Sequence, residues 1–148
     1  MGRLNDKVAI ITGAAQSLGK ACAVMFAKEG AKVVVTDIQA EKGQETVDEI
    51  NSAGGEAIFL KHDVAVENEW QSVIDDTLGK FGKLDILVNN AGIALQANIE
   101  DTSLEDWNRL MRIDLDGVFL GTKYAITAMK KNGGGSRQSR RDCWDMAE

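Results

Sequence analysis

Reactive side chains are scarce in this chain. Among 148 residues there are two cysteines, Cys22 and Cys143, and one histidine, His62. They lie far apart and match no metal-ligand or redox spacing, so neither a metal centre nor a disulfide framework is expected. Cys22 is read as core packing on its helix, and a reducing cytoplasm is the compartment that fits. No apolar run has the length of a membrane span, and the N-terminus lacks the basic-then-apolar order of a secretory signal. A net charge of −6 argues against a nucleic-acid surface, which needs a basic patch. What remains is globular, 44% hydrophobic and 27% charged, of a size to form one domain around a real core.

The most informative stretch runs from Lys7 to Asp37. Val8-Ala9-Ile10-Ile11-Thr12 is unbroken and apolar, as in a strand buried on both faces of a parallel sheet. It stops at the small-residue turn Gly13-Ala14-Ala15-Gln16-Ser17-Leu18-Gly19. A helix follows with Leu18, Cys22, Met25 and Phe26 on its expected inner face, closed by Gly30 where a left-handed residue is commonly required. Val33-Val34-Val35 forms a second strand with Asp37 at its carboxyl end. Small residues let backbone approach a pyrophosphate, and free N–H groups at a helix start favour its charge. A carboxylate closing the second strand accepts hydrogen bonds from the hydroxyls of an adenosine ribose and repels a 2′-phosphate. The reading is a dinucleotide site preferring NAD to NADP, supported by Ile38 after Asp37 and by a glycine turn without a basic residue.

Further along, a helix is expected over Ala40–Ser52, with Val47 and Ile50 inward and a charged, solvated outer face. Glu56–Lys61 reads as a third strand leading into His62-Asp63-Val64. Trp70, Val73, Ile74, Thr77, Leu78 and Phe81 share one face of a third helix, with Gly79 and Gly82 at its end. Leu84–Val88 reads as a fourth strand running into Asn89-Asn90-Ala91-Gly92. After a loop over Ile93–Glu100, a long helix is expected from about Leu104 to Lys131, with a capping start at Thr102-Ser103-Leu104-Glu105. Its inner stripe is read as Trp107, Leu110, Met111, Leu115, Val118, Phe119 and Thr122. Asp114 falls on that stripe, either as a carboxylate in a core position or as a capping or surface residue. Strands alternating with helices predict right-handed crossovers and a doubly wound parallel sheet of order 3-2-1-4. Its ligand crevice lies between the tips of strands 1 and 4.

Together, Thr12-Gly13-x-x-x-x-x-Gly19, Asp37, Asp63-Val64 and Asn89-Asn90-Ala91-Gly92 resemble the short-chain dehydrogenase/reductase family, Rossmann-fold NAD(P)-dependent oxidoreductases of alcohols and ketones. The likeness covers roughly residues 5–132, and Val118-Phe119-Leu120-Gly121-Thr122 is similar to the family as well. The expected architecture is α/β, a Rossmann-type doubly wound parallel sheet incomplete on its C-terminal side. Residues 1–132 would form the NAD-binding portion and 133–148 an irregular tail. The resemblance implies Gly13, Ser17, Leu18 and Gly19 at the pyrophosphate and nicotinamide ribose, and Gln16 at the adenine ribose. It implies Asp37 on that ribose's hydroxyls, Ile38 against the adenine, and Asp63 on its amino group with Val64 beside it. Asn90, Ala91 and Gly92 would back the cofactor with main chain, while Asn89 and Thr12 tie strands 4 and 1 together.

Three departures from the family bear on activity. Ser17 stands where a glycine is usual, which is expected to weaken nucleotide binding without abolishing it. Asp114 occupies the position of the family's catalytic asparagine, losing the amide donors and bringing a charge. After the long helix the family continues into a fifth strand ending in a catalytic serine, then a Tyr-x-x-x-Lys helix whose tyrosine is the general acid/base. Here Gly133-Gly134-Gly135-Ser136 leads into Arg137-Gln138-Ser139-Arg140-Arg141-Asp142-Cys143-Trp144, without a strand pattern or a tyrosine. Tyr124 lies on the preceding helix with no lysine four residues on, and Ser136 and Ser139 have no base partner. The tail is expected to be a fifth strand read out of frame in a truncated product, which the encoding DNA tests. Strand 4 would then be a bare sheet edge and the product marginally stable.

Two functions are expected. One is the cofactor half of an NAD-dependent secondary-alcohol dehydrogenase or ketone reductase, inactive as it stands. The other is a non-catalytic NAD-binding module whose 104–131 helix packs on a partner, as a homo-oligomer. The expected partners are NAD(H) and, in the intact relative, an alcohol or ketone, with no nucleic acid and no membrane.

Overall fold

The computed structural model describes residues 2–131 together with the backbone of 137–140. Five parallel strands form one sheet: β1 (Val8–Thr12), β2 (Lys32–Asp37), β3 (Glu56–Lys61), β4 (Ile86–Asn89) and β5 (Arg137–Arg140), in the order β3-β2-β1-β4-β5. The first four follow the order read from the sequence. Ile10 pairs with Val34 on one side and Leu87 on the other, so β1 is the sheet's central strand.

Alternation along the strands feeds two cores. Ala9, Ile11, Val33 and Val35 face α1 (Ser17–Lys28) and α2 (Ala40–Ser52), meeting Cys22, Ala23, Phe26, Val47 and Ile50. Ile10, Val34 and Leu87 face α3 (Glu67–Phe81) and the last helix, meeting Trp70, Val73, Ile74, Leu120, Ala125 and Met129. Burial on both faces explains why β1 and β2 read as continuous apolar runs. Trp70 is wholly buried, and truncating such a side chain costs about 3–5 kcal/mol.

The helices end as their sequences dictate. Gly30 follows α1 with φ +93°, and Gly82 closes α3 in the left-handed region at φ +77°. On α1, however, Leu18 and Met25 are exposed, and Gly19, Cys22, Ala23 and Phe26 form the buried face. The sheet tolerates only small residues at its closest approach to this helix, so the face is set by Gly19 and Ala23 rather than by the largest apolar side chains.

The long helix differs most from expectation. It is α4 (Leu104–Met111), a π-helical segment over Arg112–Asp116, and α5 (Gly117–Lys131). Each extra residue in a π turn rotates the downstream helix by about 100° relative to an uninterrupted α-helix. The expected inner stripe is therefore displaced. Leu115 and Phe119 are exposed, whereas Gly117, Leu120, Gly121, Ala125, Ala128 and Met129 are buried; Trp107, which precedes the π segment, is exposed as well. Ser103 caps α4, its hydroxyl accepting from Asp106 N at 3.0 Å.

The tail also departs from the irregular segment expected. Arg137–Arg140 pairs in parallel with all four residues of β4, from Ile86↔Arg137 to Asn89↔Arg140. Main-chain donors and acceptors on an otherwise open edge are satisfied by any extended segment, whatever its side-chain pattern. β4 is therefore an interior strand and not the bare sheet edge expected of it. Ser136, Arg141, Asp142, Cys143 and Trp144 lie outside the described residues.

Candidate functional site

The carboxyl ends of β1 and β4 diverge above the sheet, and a cavity of about 680 Å³ opens there. All twelve residues read as cofactor-binding line it: Gly13, Gln16, Ser17, Leu18, Gly19, Asp37, Ile38, Asp63, Val64, Asn90, Ala91 and Gly92. They come from four strand ends, brought together by the parallel order of the sheet.

The two loops are clasped where β1 meets β4. Thr12, buried, donates its hydroxyl to Val88 O at 3.3 Å and accepts from Asn90 N and Ala91 N, both at 3.0 Å. Asn90 Nδ2 donates to Thr12 O at 2.9 Å and to Gly13 O at 3.2 Å. The side-chain tie thus falls to Asn90 and not to Asn89, whose buried Nδ2 has no partner among the described residues. Successive residues leaving a strand point to opposite sides. Asn90 consequently reaches back over the β1 turn, while Asn89 faces Gly121 and Trp70 in the second core.

The turn is shaped for close approach. Gly13 has φ +63°, and a Cβ there would come within 2.8 Å of Ala91 Cα. A Cβ on Gly19 would run into the Gly13 carbonyl and come within 2.5 Å of Asn90 Nδ2. Ser17 begins α1 in the left-handed region at φ +52°, a strained conformation for a residue with a Cβ. α1 has no side-chain cap and no acidic residue in its first turn, so its leading N–H groups face the cavity uncompensated.

Asp37 is held rigidly at the end of β2. Its Oδ2 accepts from Ala15 N at 3.1 Å and its Oδ1 from Gln39 N at 3.0 Å. Each carboxylate oxygen retains accepting capacity. Beside it, Ile38 is 63% exposed, and Leu18 on the glycine turn is 70% exposed. Large apolar side chains bared inside a concave site are the usual signature of a wall that a ligand covers. The third loop is braced as well. Asp63 N donates to Glu69 Oε2 at 2.6 Å, Asp63 Oδ1 accepts from Ala65 N at 2.9 Å, and Trp70 Nε1 donates to Val64 O at 2.8 Å.

Five lining residues were not singled out from the sequence: Gln39, His62, Ile93, Arg109 and Ile113. Arg109 and Ile113 stand four apart on one helical face, a spacing visible in the sequence but masked by the more hydrophobic stripe beside it. His62 is buried, with Nδ1 3.1 Å from Thr36 Oγ1 and its ring edge-on to Trp70 at 4.3 Å. Burial pushes its pKa down to about 4, against the opposing pull of Glu69 and Asp63, so the ring is neutral at pH 7. Asp114 lies in the π segment and is not among the residues lining the cavity. Its Oδ1 accepts from Ile93 N at 2.9 Å, anchoring the loop that continues from Gly92.

A parallel sheet with helices on both faces, a glycine turn after the first strand and a fixed carboxylate after the second define a Rossmann-type α/β protein. Residues 7–136 match the short chain dehydrogenase family, and the chain belongs to that family. It is 54% identical over 129 residues to an uncharacterized oxidoreductase of Thermotoga maritima, covering 87% of this chain and 51% of that protein. It is 44% identical over 131 residues to the cyclopentanol dehydrogenase of Comamonas testosteroni, covering 88% and 52%. An NADP-dependent (R)-specific alcohol dehydrogenase of Lentilactobacillus kefiri is 43% identical over 136 residues, covering 90% and 53%. The crystal structure of a hydroxysteroid dehydrogenase from Escherichia coli superimposes with a TM-score of 0.85 at 41% identity, covering 90% of this chain and 56% of that one. The chain spans about half the length of the curated relatives it matches. No helix among the described residues is long and apolar enough to cross a membrane.

Proposed function

We propose that this chain binds NAD in the cavity between β1 and β4 and that it is the cofactor-binding part of an oxidoreductase acting on a secondary alcohol or ketone. The observation that carries the reading is the Gly13–Gly19 cradle beside Asp37. Side chains at Gly13 and Gly19 would collide with Ala91, Asn90 and the Gly13 carbonyl, so the turn packs this tightly only with bare backbone, which lines the cavity where a diphosphate would lie. Asp37, fixed by two backbone N–H groups, presents its remaining acceptor sites to vicinal ribose hydroxyls. A 2′-phosphate there would set a second anion against a mostly buried carboxylate with no cation bonded to it, so NAD is favoured over NADP. Ile38 and Val64 supply apolar contact for the adenine, and Asp63 an acceptor for its amino group. Gly13, Ser17, Leu18 and Gly19 take the diphosphate and nicotinamide ribose, with Gln16 at the adenine ribose. Asn90, Ala91 and Gly92 back the cofactor from the other side. When bound, the nicotinamide ring supplies the hydride acceptor or donor.

The relatives' names support a secondary alcohol or its ketone as the substrate class. Within these 148 residues the only tyrosine is Tyr124, followed four residues on by Ala128 in place of a lysine. We therefore propose that this chain binds cofactor without turnover. Asp114 acts as a positioning residue, holding Ile93 and with it the Asn90–Gly92 loop. A second reading, an NAD-binding interaction module, is favoured by the apolar outer face of α4 and α5, where Trp107, Leu115 and Phe119 are exposed. On that reading two copies pair through the 104–131 helix.

Calorimetric titration of the chain with NAD and NADP, alongside a dehydrogenase assay on cyclopentanol, tests the proposal. Binding of NAD at least about tenfold tighter than NADP, with that gap collapsing in Asp37→Ala, is expected. Absence of NAD binding would overturn the reading, and turnover would overturn the proposed inactivity.

A further inference from the structure

The cavity has an electrostatic deficit. Two carboxylates, Asp37 and Asp63, belong to its lining, and the glycine turn from Gly13 to Gly19 contains no basic residue. Lys42, on α2, donates to Gln16 Oε1 at 3.1 Å and is not among the lining residues. A doubly charged diphosphate would enter a site whose fixed side-chain charge is already negative. The leading N–H groups of α1 offset part of that, amounting to about half a unit charge at a helix end.

Arg109 is the one lining residue, among those described, that carries a positive charge at neutral pH. It lies on α4, one helical turn before Ile113, which lines the same cavity. Ile113 packs against the core on the opposite face of the sheet from α1. The Arg109 wall and the glycine turn therefore belong to different layers, meeting only above the strand tips. Arg109 is exposed, and its guanidinium has no hydrogen bond or ion pair among the described residues. Neither Asp37 nor Asp63 bonds it among the described residues; both carboxylates accept from neighbouring backbone N–H groups instead. An exposed, unengaged arginine at the rim of a cavity with acidic walls is available to a ligand anion, and its planar fork matches phosphate oxygens bidentately.

We propose that Arg109 is the cation that neutralises the dinucleotide's diphosphate, closing on it from the α4 wall while the α1 terminus holds it from the turn. This deepens the nucleotide-binding reading above and rests on it. Arg109 thereby distinguishes phosphate-bearing ligands from bare nucleosides, and it makes affinity dependent on salt.

The test is calorimetric titration of the full chain and of Arg109→Ala and Arg109→Lys with adenosine, ADP and NAD, at low and high salt. Arg109→Ala should weaken ADP and NAD about tenfold, leave adenosine unchanged and flatten the salt dependence, with Arg109→Lys between the two. Thermal melts matching the wild type show that the variants fold, as the residue's exposure predicts. Equal loss for adenosine and ADP would overturn the proposal by placing the contact at the adenine. Unchanged ADP and NAD affinity in Arg109→Ala would overturn it while leaving the nucleotide site intact. Failure of the wild-type chain to bind ADP or NAD would instead overturn the underlying reading.

Discussion

Asn90 grips Thr12 twice, its side-chain Nδ2 donating to the Thr12 carbonyl at 2.9 Å and its backbone N–H to the Thr12 hydroxyl at 3.0 Å. These bonds join the tips of β1 and β4 at the mouth of the cavity and fix the separation of the two loops that line it. Asn90→Ala removes the first bond and the companion donation to Gly13 O. Two carbonyls then depend on solvent, at a cost of about 1–3 kcal/mol. Urea denaturation of the variant should show a lowered midpoint at an unchanged slope. An unaltered midpoint would mean that water replaces the amide without loss.

Ser17 sits at φ +52°, in a region that costs an L-residue about 1–2 kcal/mol. Glycine adopts it freely. Ser17→Gly should therefore stabilise the fold by up to about 1 kcal/mol, after the greater chain entropy of glycine is subtracted. It should also tighten NAD binding by removing the Cβ from the approach to the diphosphate. Ser17→Val, β-branched, should lose stability. Melting temperatures ordered Gly above Ser above Val are the expected result, and a Gly variant that melts lower would show the serine hydroxyl to be the stronger influence.

His62 gives the fold a pH dependence with a definite sign. Its pKa is pushed down by burial to about 4 from an ordinary value near 6.5. The unfolded chain thus binds the extra proton first. The contribution is fully present above about pH 6.5 and is lost as pH falls toward 4, by at most about 3 kcal/mol. Glu67, whose pKa is lowered by hydrogen bonds from Lys123 and then Tyr124, titrates below the ordinary carboxylate range and leaves the upper part of this window to His62. Denaturation midpoints between pH 7 and pH 5 should fall in the wild type and flatten in His62→Gln. A wild-type midpoint constant over that range would refute the assignment.

The legible part of this fold was the part where one physical constraint dominates. β1 and β2 are buried on both faces, so Val8–Thr12 and Val33–Val35 had to be apolar throughout, and parallel order followed from the helices between them. Ala40–Ser52 and Glu56–Lys61 coincide with α2 and β3, where a single apolar face, Val47 and Ile50 on α2, stands against a solvated one. Periodicity failed where a second constraint entered. The π segment at Arg112–Asp116 rotates the following helix, so Phe119 faces outward and Leu120 inward. Arg137–Arg140 is a strand through backbone pairing with β4, which side-chain pattern does not encode. Twelve of the seventeen residues lining the cavity were reached from their motifs, but the choice between Asn89 and Asn90 needed the direction in which the chain leaves β4. Arg109 was missed because its spacing to Ile113 is outweighed by the more hydrophobic stripe beside it.

Phe119 is 63% exposed and Trp107 43%, on the surface of the helix that faces away from the sheet. Exposed aromatic area of this kind is costly in water and is relieved by pairing with a second copy. Sedimentation should report a dimer for the wild type and a monomer for Phe119→Glu, with far-UV circular dichroism unchanged. A monomeric wild type would remove self-association from the proposed functions.

Asp114 links the π segment to the cavity, its Oδ1 accepting from Ile93 N at 2.9 Å. That bond requires only an acceptor, which an asparagine side chain also supplies. Asp114→Asn retains the acceptor and should change stability by less than about 0.5 kcal/mol. Asp114→Ala leaves the Ile93 N–H without its partner, at a cost of about 1–2 kcal/mol. The loss should be local. The Ile93 amide sits next to Gly92, and its hydrogen exchange should accelerate in Asp114→Ala while amides in β1 and β2 keep their wild-type protection relative to the global stability. NAD affinity should fall with it, since the loop carrying Asn90–Gly92 loses one of its anchors. Exchange at Ile93 as slow in the alanine variant as in the wild type would show that the loop is held from elsewhere, and Asp114 would then be a structural residue of the π segment alone.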